Sequence, residues 1–169
     1  MWKVIEKICY NCLEFFWKKL LKKELPDKVF ISFMQFVKFG IVGVTNTVVS
    51  YLLNIGTLFI LKPFVVSWDY IAGHMVGFFL SVLWSFYWNN KFVFVAEEGE
   101  KRSVWKTLLK TYISYGFTGI VLNNVLSYIW INIFNISKYI APLINLILSV
   151  PINFLINKLW AFKVEKKDY

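Results

Sequence analysis

The stretch "FGIVGVTNTVVSYLLNIGTLFIL", residues 39–61, contains no Asp, Glu, Lys or Arg. About 20 apolar residues in a helix cross a hydrocarbon core roughly 30 Å thick, so this stretch is long enough to span a membrane. Its polar side chains are uncharged: Thr45, Asn46, Thr47, Ser50, Tyr51, Asn54 and Thr57. Three more charge-free stretches follow, at 70–90, 111–137 and 139–157. Inside lipid every backbone amide needs an internal partner, which favours helices. A membrane barrel would show alternating segments of about 10 residues, and none is present.

Composition agrees. The chain is 58% hydrophobic and 20% aromatic, against about 45–50% apolar in soluble domains. Its net charge of +9 admits nucleic acid in principle, but the basic residues follow membrane topology instead. Of 19 Lys and Arg, only Lys62 and Lys138 fall in the two connections on one side of the spans. The positive-inside bias therefore predicts a multi-pass protein of the cell membrane with both termini cytoplasmic. Glu6, Lys7 and Glu14 interrupt the N-terminal segment, which does not read as a secretory signal.

Residues 1–27 read as an amphipathic interfacial helix. Ile5, Ile8, Cys9, Cys12, Phe16 and Leu20 recur at helical spacing, and Lys18, Lys19, Lys22 and Lys23 crowd its end, suited to anionic headgroups. Packing of that helix on the bundle is the alternative. Pro26 breaks it, and Asp27 is placed to cap the next helix. Residues 28–169 then form a four-helix transmembrane domain.

That domain is written twice. "SFYWNNKFVF" (85–94) and "NFLINKLWAF" (153–162) each close a span with Asn, Lys and aromatics. Gly73, Gly77, Ser81, Ser85 and Asn89 step by four, matched by Ala141, Asn145, Ser149, Asn153 and Asn157. Gly40 and Gly43 match Gly116 and Gly119. The units, about 36–94 and 112–162, each hold one hairpin, which makes this a parallel repeat. The expected fold is all-α integral membrane: two tandem helical hairpins behind an interfacial helix. The four-residue ridges read first as close-packing surfaces, and they also predict self-association.

The intramembrane amides are numerous: Asn46 and Asn54 on the first span with the Ser50 hydroxyl between them, Asn123 and Asn124 on the third, Asn145 and Asn153 on the fourth. An unpaired amide in hydrocarbon is costly, so these face one another, water or a ligand. Interhelical bonding and a polar pathway both remain open. No span carries a carboxylate, which argues against proton-coupled drug export. His74 reads as a hydrogen-bonded interfacial residue. There is no phosphate loop, carboxylate pair or metal cluster, so neither an enzyme nor a metal or cofactor is expected. Cys9 and Cys12 read as core-facing thiols. Where the spans meet the cytoplasmic interface stand Lys38, Lys91 and Lys158, beside an aromatic belt of Phe92, Phe94, Trp160 and Phe162. Such lysines either snorkel or hold a lipid phosphate.

"FVKFGIVGVTNT" (36–47) and the two span-end motifs resemble the GtrA-like family over roughly 33–163. Its motif carries over at Lys38, Gly43, Asn46 and Thr47, at Asn89 and Phe94, and at Asn157, Lys158, Trp160 and Phe162. After Asn89 the family has a basic residue; this chain has Asn90, with Lys91 one place later. The resemblance implies flipping of a polyprenyl-phosphate-linked sugar for polysaccharide or teichoic acid glycosylation. Lys38, Lys158 and Lys91 would hold the lipid phosphate. Asn46, Ser50, Asn89, Asn123, Asn153 and Asn157 would line the sugar pathway. The alternative is a non-transporting partner subunit of a membrane polyprenyl-phosphate glycosyltransferase.

Overall fold

The computed structural model describes residues 2–64, 67–96 and 102–164. Lys101, Lys166 and Lys167, used in the charge argument, lie outside them. The described residues form helices joined by short turns and bends, without a strand. Four helical segments are long and apolar enough to cross a membrane: Asp27–Phe64, Asp69–Val93, Val104–Ile133 and Ala141–Ala161. They lie behind a separate N-terminal helix, α1 (Trp2–Leu21).

α2 (Asp27–Leu61) begins after Pro26, which serves as the N-cap; Asp27 sits in the first turn and makes no capping bond. At 1.5 Å per residue its 35 residues measure roughly 52 Å, well beyond the hydrocarbon thickness. Lys38 therefore sits about 16 Å along the helix, where an interfacial cation belongs. α3 (Asp69–Trp88) returns beside it. Gly73 and Gly77 face α2 so closely that a Cβ on Gly77 would stand 2.9 Å from the Ser50 carbonyl oxygen. Gly73, Gly77, Ser81, Ser85 and Asn89 are all buried, so the ridge read from the sequence is a helix-packing surface.

The third span is α4 (Val104–Gly116), a π-helical stretch (Phe117–Leu122), α5 (Asn123–Tyr128) and a second π turn (Ile129–Ile133). The fourth is α6 (Ala141–Ile156), with Pro151 inside it. Proline has no N–H for the preceding turn, a loss tolerated where neighbouring helices cover the freed carbonyl.

Both hairpins end in the same device. α3 passes into a π turn at Asn89–Val93 and α6 into one at Asn157–Ala161. Each closes through one bond: Phe94 N–H to the Asn89 carbonyl and Phe162 N–H to the Asn157 carbonyl, both 2.8 Å. The turns bring Phe94 and Phe162 together, ring centroids 4.7 Å apart. Around them Phe39, Val42, Val93, Phe154 and Ala161 form a buried core. Phe94 and Phe162 are thus core residues, whereas Phe92 and Trp160 stay exposed as a belt would.

α1 packs lightly on the rest, through Tyr10 and Phe30 among others. Its Ile8, Phe15, Phe16 and Leu20 are exposed. That apolar face is the one a headgroup layer would cover. Cys12 is exposed and Cys9 half-buried, so the two thiols do not share a protein core.

Candidate functional site

The four spans leave a cavity of about 730 Å³ between the first, third and fourth. Asn46, Asn123 and Asn153 contribute amides to it, and Tyr115, Thr118 and Ser149 hydroxyls. Three of the expected pathway residues therefore meet. Gly40, Gly43 and Gly119 also line it, and a Cβ on any of them meets nothing within 4 Å among the described residues. The glycines that match between the first and third spans mark open space, not contact. The sequence could not separate these from Gly73 and Gly77.

Among the cavity amides, Asn46 holds a buried orphan atom. Its Oδ1 is buried and has no hydrogen-bond partner among the described residues. A buried amide oxygen left unpaired is costly in protein or lipid. Asn123 turns its Nδ2 to its own helix, donating to the Gly119 carbonyl at 3.3 Å. Asn153 accepts from Ser114 Oγ at 2.9 Å. Ser50 lies elsewhere, against Gly77 on the α3 side of α2.

Asn89 and Asn157 are fully buried at the motif end of the bundle. Asn157 donates through Nδ2 to Ser114 Oγ at 3.0 Å and to Asn153 Oδ1 at 3.0 Å. Asn89 donates to Ser85 Oγ at 3.1 Å, and Ser85 shares a 2.5 Å bond with Tyr115 OH. Ser114 and Tyr115 are consecutive on α4, so one turn of that helix ties both asparagines to the cavity wall. The Oδ1 atoms of both asparagines lack a partner among the described residues.

Other amides are interhelical bonds. Asn145 donates to Ser127 Oγ at 2.7 Å and to the Asn123 carbonyl at 3.1 Å, and accepts from Trp130 Nε1 at 3.0 Å. Asn54 pairs with His74 at 3.1 Å, the interfacial bond expected of that histidine.

The three interfacial lysines do not form one ring. Lys158 donates to Ser32 Oγ at 2.7 Å, with its ammonium over the Phe154 ring. Ser32 and Lys38 are six residues apart on α2, about 240° around the helix. Lys38 lines a second space of about 620 Å³ on the outer side of α2 and α3, with Trp84, Trp88 and Phe92. Lys91 donates to Tyr87 OH at 3.3 Å and stands 5.5 Å from the Tyr87 ring, 5.7 Å from Phe92 and 6.0 Å from Trp88.

Asn90 explains why the cation is displaced. Its Oδ1 accepts from Arg102 Nη2, which also donates to the Phe94 carbonyl at 2.8 Å. Arg102 Nη1 donates to the Phe162 carbonyl at 2.9 Å. One guanidinium from the segment before α4 thus fastens the ends of both π turns, and it covers the Phe162 ring at 5.0 Å. A basic residue at position 90 would repel Arg102. The sequence marked Arg102 only as a topology charge, since nothing in a loop motif shows which carbonyls a guanidinium will reach.

The GtrA/DPMS transmembrane domain matches residues 38–162, from Lys38 through the second Phe motif. The chain belongs to this family. It is also 24% identical over 143 residues to the cell wall teichoic acid glycosylation protein GtcA of Listeria monocytogenes, covering 83% of this chain and 90% of that protein. No solved structure gives a significant match. Within this GtrA-family chain, the matched region contains the cavity, the lysines and both π turns.

Proposed function

We propose that this GtrA-family protein translocates a polyprenyl-phosphate-linked sugar for cell-surface glycosylation. The observation that carries the reading is the cavity between the first, third and fourth spans. It offers amides and hydroxyls without charge, including the unpaired Asn46 Oδ1. An uncharged sugar presents hydroxyl donors that would satisfy that oxygen, so the cost of leaving it unpaired is recovered when the sugar enters.

The proposed division of labour follows. Asn46, Asn123 and Asn153 bind sugar hydroxyls. Asn89 and Asn157 hold Tyr115 and Asn153 in place from the motif end. The interfacial lysines take the phosphate, whose negative charge would not enter the apolar interior unpaired. The name of the Listeria relative supports glycosylation of the cell wall as the setting.

Flipping of a fluorescent polyprenyl-phosphate hexose in proteoliposomes tests the reading. The triple variant Asn46→Ala, Asn157→Ala, Lys158→Ala should lose flipping; wild-type rates would sink the site assignment. The family description joins GtrA to DPMS transmembrane domains, which favours a second reading as the membrane scaffold of a glycosyltransferase. Co-purification with such an enzyme, and no flipping by the pure protein, would select it.

A further inference from the structure

The groove on the outer side of α2 and α3 is absorbed by neither the sugar cavity nor the helix packing. Its walls are Ile41 and Val42 from α2 and Trp84, Trp88 and Phe92 from the end of the first hairpin. Trp84 Nε1 donates to Thr45 Oγ1 at 3.2 Å, which pins one wall to the other. The Trp88 and Phe92 rings stack with centroids 5.0 Å apart. The lining is thus apolar along most of its length and held in shape. Ile41 and Phe92 are 48% and 47% exposed, so the groove faces the membrane, not the bundle interior.

One end differs. Lys38 lines the groove, and Lys91 stands beside Trp88 and Phe92. Trp88 Nε1 is a buried donor without a partner among the described residues. One end of the aromatic trough thus carries the Lys38 cation in its lining, and Lys91, bonded to Tyr87 OH at 3.3 Å, stands within about 6 Å of two of its rings. That pattern complements an anionic phosphate head on a long unsaturated chain. Plain hydrocarbon would need no cations, and a free phosphate would need no trough.

We infer that this groove holds the isoprenoid chain and phosphate of a polyprenyl phosphate. The inference rests on the proposed translocation reading and adds where the tail runs. α2 separates the two parts of the molecule. The groove takes Lys38, Ile41 and Thr45 from one flank, and the cavity takes Gly40, Gly43 and Asn46 from the other. Both flanks meet at the exposed strip of Ile41 and Val44, 48% and 68% accessible. The shift of the cation from position 90 to 91 then has a purpose, because it frees Asn90 for Arg102 and delivers the charge to the groove.

The test uses the full-length protein in nanodiscs and a diazirine-bearing farnesyl phosphate, which has no sugar. Crosslinks should map to residues 38–45 and 84–92. Long-chain polyprenyl phosphate should compete them away, and excess phosphatidylglycerol should not. Lys38→Gln and Lys91→Gln should each weaken labelling about fivefold, the worth of one interfacial basic residue. Ile41→Trp, which fills the groove from its exposed side and breaks no hydrogen bond, should abolish it in protein that stays monodisperse. Equal competition by phosphatidylglycerol, or equal labelling by farnesol, would overturn the proposal: the groove would then hold bulk lipid. Normal labelling with no flipping would sink translocation and leave the groove standing. Flipping without groove labelling would do the reverse.

Discussion

Arg102 donates to the carbonyl oxygen of Phe162 at 2.9 Å across 60 positions of sequence, and so ties the end of the second hairpin to the start of the third span. The same guanidinium reaches the Phe94 carbonyl at 2.8 Å. The two carbonyls follow the two π turns, where the last turn of each span leaves acceptors without an intrahelical donor.

Replacing Arg102 should therefore destabilise both hairpin ends together. A charge-assisted hydrogen bond contributes about 1.5–3 kcal/mol. Arg102→Ala should lower the melting temperature in detergent by the equivalent of about 2 kcal/mol or more. Arg102→Lys should recover only part, because one ammonium lacks the planar fork that reaches two carbonyls. Tryptophan fluorescence melts would read this; an unchanged melt in Arg102→Ala would refute the clamp.

The glycines should split into two classes. Gly77→Ala places a Cβ 2.9 Å from the Ser50 carbonyl, and such overpacking costs about 1–3 kcal/mol. Gly43→Ala and Gly119→Ala meet open space and should leave the melt unchanged or slightly raised. They narrow the cavity, so they should slow flipping. A melting series paired with flipping rates checks both halves.

Asn46 and Asn145 should separate binding from folding. Asn145→Ala breaks bonds to Ser127, Asn123 and Trp130 and should cost about 1–2 kcal/mol. Asn46→Ala removes a buried oxygen that has no partner among the described residues, so it should be neutral or stabilising while sugar flipping falls. Equal loss of stability in the two variants would count against a ligand role for Asn46.

The orientation expected from the positive-inside bias can be read with native thiols. Cys12 is exposed. A membrane-impermeant maleimide should leave it unlabelled in intact cells and label it in everted vesicles. The opposite result would invert the topology.

The spans were legible because lipid admits few solutions: a charge-free stretch such as 39–61 has almost no other fold open to it. The ridge from Gly73 to Asn89 was legible because small residues at four-residue spacing have one main use. The π turns were not. A π turn adds one residue to a helical turn, and the turns' own sequences, "NNKFV" and "NKLWA", carry no period that announces it. The site was legible in part. Asn46, Asn123 and Asn153 meet in one cavity, but Ser50 faces Gly77 instead, and the lysines divide between Ser32 and the outer groove. Side-chain direction around a helix decides those outcomes, and polar residues scattered around a span leave that direction unmarked.

Across the first hairpin, Gly77 lets α3 rest on the α2 backbone. Across the cavity, Gly40, Gly43 and Gly119 rest on nothing, and the halves are joined there by rings and side-chain hydrogen bonds such as Ser85 to Tyr115. The small-residue positions therefore divide the molecule into a hairpin whose backbones touch and a seam, beside Asn46, that is filled only by side chains.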